Sequence, residues 1–142
     1  MLRVNHLLSR KGPEIWSVDA EEPVLEAIQI MADRHIGALP VLRDGELVGV
    51  ISERDYARKV ILLGRSSAET PVWQIMSSPV VTVTSAETVQ RCMEIMTERR
   101  IRHLPVVDDG KMMGIISIGD LVRAVMEDQQ QTIEQLERFI AG

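Results

Sequence analysis

The chain carries the same text twice. Residues Ser17 to Val60 align without a gap on Thr82 to Val125, setting Val18 opposite Val83, Met31 opposite Met96, Pro40 opposite Pro105, Gly49 opposite Gly114 and Asp55 opposite Asp120. About 18 of about 44 aligned positions are identical, far more than shared composition supplies, so one structural unit has been duplicated. What one copy builds, the other is expected to build again.

Each copy reads as β-α-β-β-α. IWSV and VVTV are short β-branched runs suited to strands. Each precedes apolar residues at helical spacing, Val24, Ala27, Ile28 and Met31 in one copy and Val89, Cys92, Met93 and Met96 in the other. In ALPVLRDGELVGVIS and HLPVVDDGKMMGIIS, a pair of apolar runs is separated by Asp44-Gly45 or Asp109-Gly110, the dipeptide favoured by type I′ hairpin turns. ERDYARKVILL and IGDLVRAVME then read as closing helices. One such unit is too small to bury both helices and a sheet, so two units facing each other complete an α+β fold.

Residues 1–66 are thus expected to hold the first copy with a leading helix and loop, 67–128 the second with its linker, and 129–142 a helical tail. VNHLL and VWQIM read as matching short helices ahead of the copies, with GRSSAETP as linker and Pro71 opening the next element. The extra residues in SRKGPE leave Lys11 and Gly12 without counterparts. In the tail, Ile133, Leu136 and Ile140 have helical spacing and suit docking on this chain or on a second one.

Composition narrows function. A chain of 142 residues that is 45% hydrophobic can afford a core, and a net charge of −5 disfavours general binding to DNA or anionic membranes. No apolar run approaches the ~20 residues of a membrane span, and MLRVNHLLSRKGPE lacks the apolar stretch of a secretory signal, so a cytosolic location is expected. The single cysteine, Cys92, sits at core spacing. His6, His35 and His103 lie on different elements with no metal-ligand spacing, no nucleophile is locally paired with a histidine, and phosphate-loop and dinucleotide fingerprints are missing. The expectation is a non-catalytic protein with neither catalytic residues nor a metal site.

The chemistry-bearing element is GVISERD, repeated as GIISIGD. Ser52 and Ser117 stand where a helix begins and offers free N–H groups to phosphate, while Asp55 and Asp120 offer carboxylates able to accept hydrogen bonds from both hydroxyls of a ribose. The bland reading is a capping box, which needs no ligand. Both readings can hold at once.

The duplicated plan, with RHIGALPV, DGELVGVISERD and RIRHLPVVDDGKMMGIISIGD, resembles the CBS domain family. The resemblance covers nearly the whole chain and implies tandem CBS domains packed as a Bateman module, with two clefts between the repeats that bind AMP, ADP, ATP, NAD or S-adenosylmethionine. Many relatives form disc-like homodimers. Carried over, the first cleft takes Ser17, Val18 and Asp19, the backbone of Gly37, Ala38, Leu39 and Pro40, then Ser52, Arg54 and Asp55. The second takes Thr82, Val83 and Thr84, then Arg102, His103, Leu104 and Pro105, and Ser117, Gly119 and Asp120. Val18, Ile36, Val83 and Ile101 are candidates to sandwich an adenine or, equally, plain core.

Basic residues gather in this acidic chain, with Lys11, Arg34, His35 and Arg58 in the first half and Arg99 and Arg100 beside Arg102 in the second. They are candidate phosphate ligands, although Asp55 with Lys59 also fits an exposed helical ion pair. The copies differ: Arg54 faces Gly119, Gly37 and Ala38 face Arg102 and His103, and Asp19 faces Thr84. Two unequal sites are therefore expected, in a sensor that regulates an unidentified effector protein. The rival readings are a structural adaptor with empty clefts and a nucleotide-processing enzyme.

Overall fold

The computed structural model describes residues 1–141, so Gly142, the last residue of the expected tail, lies outside the described residues. Two compact units emerge among the described residues, 14–82 and, from both ends of the chain, 1–13 with 83–141.

In the unit Glu14–Thr82, β1 (Val18–Asp19) lies parallel to β2 (Ala38–Arg43), which pairs antiparallel with β3 (Glu46–Ser52). Between β1 and β2 runs α2 (Val24–Arg34). The turn at Asp44 and Gly45 has φ of 52° and 80°, the double positive φ of a type I′ turn that the Asp-Gly pair was read to supply. Val24, Ala27 and Met31 of α2 bury against Val18, Leu39, Val41 and Ile51 of the sheet; each such large side chain withdrawn from water contributes on the order of 2 kcal/mol.

The other unit repeats the plan with α4 (Val89–Arg99), β4 (His103–Asp108) and β5 (Lys111–Ser117), and a turn at Asp109 and Gly110 with φ of 50° and 77°. Val89, Cys92 and Met96 are buried with Leu104, Val106 and Ile116. Both hairpins carry a bulge at equivalent places, after Val41 and after Val106.

The strands read at IWSV and VVTV shrink. The first pairs only at Val18 and the following Asp19, and the second at a single bridge, Val83 to Val106. A turn follows each, Glu22 N–H to the Asp19 carbonyl and Glu87 N–H to the Thr84 carbonyl, and diverts the chain into its helix. The closing helices also diverge. In the first copy α3 (Glu53–Tyr56) widens into a π-helix over Ala57–Ile61 and stops near Gly64, whereas α5 runs unbroken from Ile118 to Ala141, because the tail contains helix formers and no breaker. The tail is thus a continuation of the closing helix. Among the described residues no helix is long and apolar enough to cross a membrane.

The short leading helices cross over. α1 (Val4–Lys11) belongs with the second copy, and the 3-10 turn Val72–Gln74 belongs with the first. The hydrogen bonds match one for one. Val72 N–H reaches the Glu22 carbonyl, Val24 N–H the Thr70 carbonyl and Trp73 N–H the Ala20 carbonyl; in the other unit Val4 N–H reaches Glu87, Val89 N–H reaches Leu2 and Asn5 N–H reaches Ser85. Each segment thereby satisfies a backbone donor at the start of α2 or α4 that the helix itself leaves open. Compactness therefore groups residues 1–13 with the second copy.

Candidate functional site

The serine and aspartate of each copy form the same box. Asp55 Oδ2 accepts from the Ser52 backbone N–H at 2.9 Å and from its hydroxyl at 3.0 Å, while Asp55 N–H donates to Ser52 Oγ at 3.1 Å. In the second copy Ser117 N–H lies 2.8 Å from Asp120 Oδ2, and Asp120 N–H lies 3.1 Å from Ser117 Oγ. The capping reading is thus realised twice, with the shorter Asp in place of the usual Glu or Gln.

Each carboxylate also holds a cation. Lys59 Nζ lies 3.2 Å from Asp55 Oδ1, and Ser77 Oγ approaches the same oxygen at 3.4 Å. Asp120 takes its cation from far along the chain, with Lys11 Nζ 2.8 Å from Oδ2 and Arg123 3.6 Å from Oδ1. Both carboxylates are mostly shielded, at 13% and 12% side-chain exposure. Burial opposes ionisation of Asp120, but hydrogen bonds from Lys11 and Ser117 together with the Lys11 charge outweigh it and hold its carboxyl below the ordinary range.

In each copy the hairpin brings the other candidates to the same end as its box. Ser52 lies opposite Ala38 and Ser117 opposite His103. Glu53 N–H donates to the Gly37 carbonyl at 3.0 Å and Ile118 N–H to the Arg102 carbonyl at 2.8 Å, so each carbonyl retains one lone pair. Because β1 pairs with β2 at Val41 and Leu42, Ser17 precedes that pairing and runs beside Pro40. Leu39, Leu104, Pro40 and Pro105 are buried, which leaves their backbone as the part able to face a ligand. Val18 and Val83 are also buried. Asp19 and Thr84 are exposed and sit at the turns into α2 and α4, where Asp19 Oδ1 accepts from Glu21 N–H at 2.9 Å. Thr82, Arg54, Arg102 and Gly119 are exposed.

The phosphate candidates scatter. Arg34 stacks on the Trp16 ring, 3.8 Å from its centre, an arrangement that uses the guanidinium face. His35 and Arg100 occupy equivalent left-handed positions, both with φ of 55°, where they end α2 and α4. Arg58 and Arg99 are exposed. Lys11 is the last residue of α1, and it binds the second copy's aspartate.

Sequence reasoning missed the wall that α1 builds. A cavity of about 720 Å³ lies between α1 and α5, and Asp120 and Lys11 share its lining with His6, Arg10, Arg123 and Glu127. Arg10 pairs with Glu127 across it. The signal was present as basic residues ending one amphipathic helix and acidic residues along another, but nothing local said that helices so far apart in sequence meet. Among the described residues no cluster of His, Cys, Asp or Glu is arranged to hold a metal.

The family model for the CBS domain matches residues 8–61 and 72–127. A CBS domain-containing mitochondrial protein of Arabidopsis thaliana, CBSX3, is 42% identical over 94% of this chain and 67% of its own length. A solved structure of a protein with CBS domains from Burkholderia ambifaria is 45% identical, covers 89% of this chain and 96% of its own, and superposes with a TM-score of 0.85. The CBS domain pair of protein MJ0100, solved in complex with 5′-methylthioadenosine and S-adenosyl-L-methionine, is 25% identical, covers 90% of this chain and 98% of its own, and gives a TM-score of 0.79.

Proposed function

The chain belongs to the CBS domain family, and we propose that it is a non-catalytic regulatory module that binds an adenosine compound at each of its two copies. The observation that carries this reading is the box of serine and aspartate built twice, each with a shielded carboxylate held by a lysine. Asp55 and Asp120 accept the ribose hydroxyls, and Lys11 and Lys59 are within reach of an anionic group on the same ligand. The backbone at Gly37–Pro40 and Arg102–Pro105 reads the adenine edge.

The MJ0100 pair supports the adenosine moiety as the shared element, since its two ligands have an adenosine sulfur skeleton in common and no phosphate. AMP, ADP, ATP, NAD and S-adenosylmethionine are therefore the compounds to compare. The unequal residues Arg54 and Gly119, and Asp19 and Thr84, favour different affinities at the two copies. Ligand would act by binding one state of the module more tightly than another, and an effector protein would read the shift.

A structural adaptor is the second reading, favoured by the fact that serine and aspartate satisfy each other's polar groups in both boxes. Calorimetry with AMP, ATP, NAD and S-adenosylmethionine separates the two. Asp55→Asn and Asp120→Asn should each remove one binding event and the double variant both. Undiminished binding in the double variant would refute the ribose role, and no nucleotide raising the melting temperature of the unaltered protein would leave the adaptor.

A further inference from the structure

The faces of α5 are used unequally. Asp120, Ala124, Glu127 and Gln131 look toward α1 across the cavity, and Leu121 is its one buried residue among those described. On the other side Val122, Met126, Gln129, Ile133, Leu136 and Ile140 recur in alternating steps of four and three, the a and d spacing of a coiled coil. At 3.6 residues per turn this seam lies roughly opposite the side that faces α1. Its apolar members are exposed, from 41% at Val122 to 82% at Ile140.

From residue 129 to 141 every residue is exposed. A helical segment of that length with no packing is marginal in water, so the seam calls for an apolar partner of its own length. The flanks say which partner. Turned end for end about its midpoint, the seam sets Met126 against Leu136, Gln129 against Ile133 and Val122 against Ile140 of another α5. The flanking positions then pair Arg123 with Glu137 and Val125 with Phe139, and Gln130 and Thr132 each meet themselves. In a parallel arrangement Glu137 would face Thr132 and Arg123 would face Ile118, with no opposite charges joined.

We propose that the outer seam of α5 binds the same seam of a second copy of this chain as an antiparallel coiled coil, oriented by Arg123 and Glu137. The contact is self-complementary, as a two-fold dimer requires, and runs roughly 27 Å at 1.5 Å per residue. Arg123 is 69% exposed and its in-chain contact to Asp120 is 3.6 Å, so it is available to the second copy. This pairing is independent of what ligand the module binds.

Disulfide trapping in the full chain tests it, with Cys92→Ala removing the native thiol. Met126→Cys combined with Leu136→Cys should form intermolecular disulfides in high yield, while Leu136→Cys alone forms few. Adding Ile133→Asp should abolish the trapping with the fold of the chain retained, since Ile133 is 47% exposed in its own chain. Arg123→Glu or Glu137→Arg should each lower the yield at least tenfold, and the double reversal should restore it. Efficient trapping through Leu136→Cys alone, no trapping at all, or a double reversal that stays as weak as the single ones would each overturn the proposal.

Discussion

Lys11 Nζ stands 2.8 Å from Asp120 Oδ2 and 2.9 Å from the Ile115 carbonyl, so the end of the N-terminal helix is fastened to the box of the second copy. The first copy is built differently: Lys59, four residues after Asp55, supplies the charge from within the same turn. One box is closed locally. The other depends on a residue more than a hundred positions away in the chain.

That difference has a measurable consequence at Lys11→Met. Asp120 is held below its ordinary carboxyl range, so its ionised form contributes stability above the unfolded carboxyl pKa of about 3.9, and this contribution is lost as pH falls through the lower folded value. Without Lys11, burial acts on the carboxylate with less to oppose it. Urea unfolding should show Lys11→Met less stable than the parent by about 1 kcal/mol at pH 7, with the gap closing in acid once the carboxyl is protonated in both proteins. A gap that stays constant from pH 7 into acid would show that the ammonium acts by packing alone.

Much of this architecture was legible because it rests on local rules. The Asp-Gly dipeptides specify both hairpin turns, the spacing of Val24 to Met31 and Val89 to Met96 specifies two helices, and the exchange of hydrogen bonds between Ser52 and Asp55 is written in their separation of three. What could not be read was pairing at a distance. The exchange of Val4 and Val72 between copies, the reach of Lys11 to Asp120 and the stacking of Arg34 on Trp16 all depend on which surfaces the chain brings together.

Cys92 faces the interior at 0% exposure. Burial, with a smaller contribution from the nearby Glu87 charge, pushes its thiol up to about 11, and a thiolate is the reactive form. In the native protein at pH 8, reaction with a thiol-specific disulfide reagent should be at least about 100-fold slower than for a free cysteine, on access and ionisation together, and it should become complete on adding denaturant. Fast reaction without denaturant would mean that α4 opens readily, or that the side chain lies outside the core.

At Gly49 the segment carrying Met76 and Ser77 comes close to β3. A Cβ built there would stand 2.6 Å from Met76 Sδ and 2.9 Å from the Ser77 carbonyl oxygen, and the second contact is backbone held by the exchange of hydrogen bonds between Val50 and Ser77. A methionine sulfur can swing aside, but that carbonyl is fixed by the bridge it makes. Gly49→Ala should therefore cost about 1–3 kcal/mol, the range for overpacking. Gly119 supplies the contrast, since a Cβ there would meet only Ser117 Oγ at 3.6 Å, in the first turn of α5. Gly119→Ala should be neutral or stabilising by up to about 1 kcal/mol, from the better helix propensity of alanine. Measuring both by urea unfolding separates steric crowding from a general intolerance of glycine replacement: equal losses at the two positions would show that the approach of residues 76–77 does not set the requirement at Gly49.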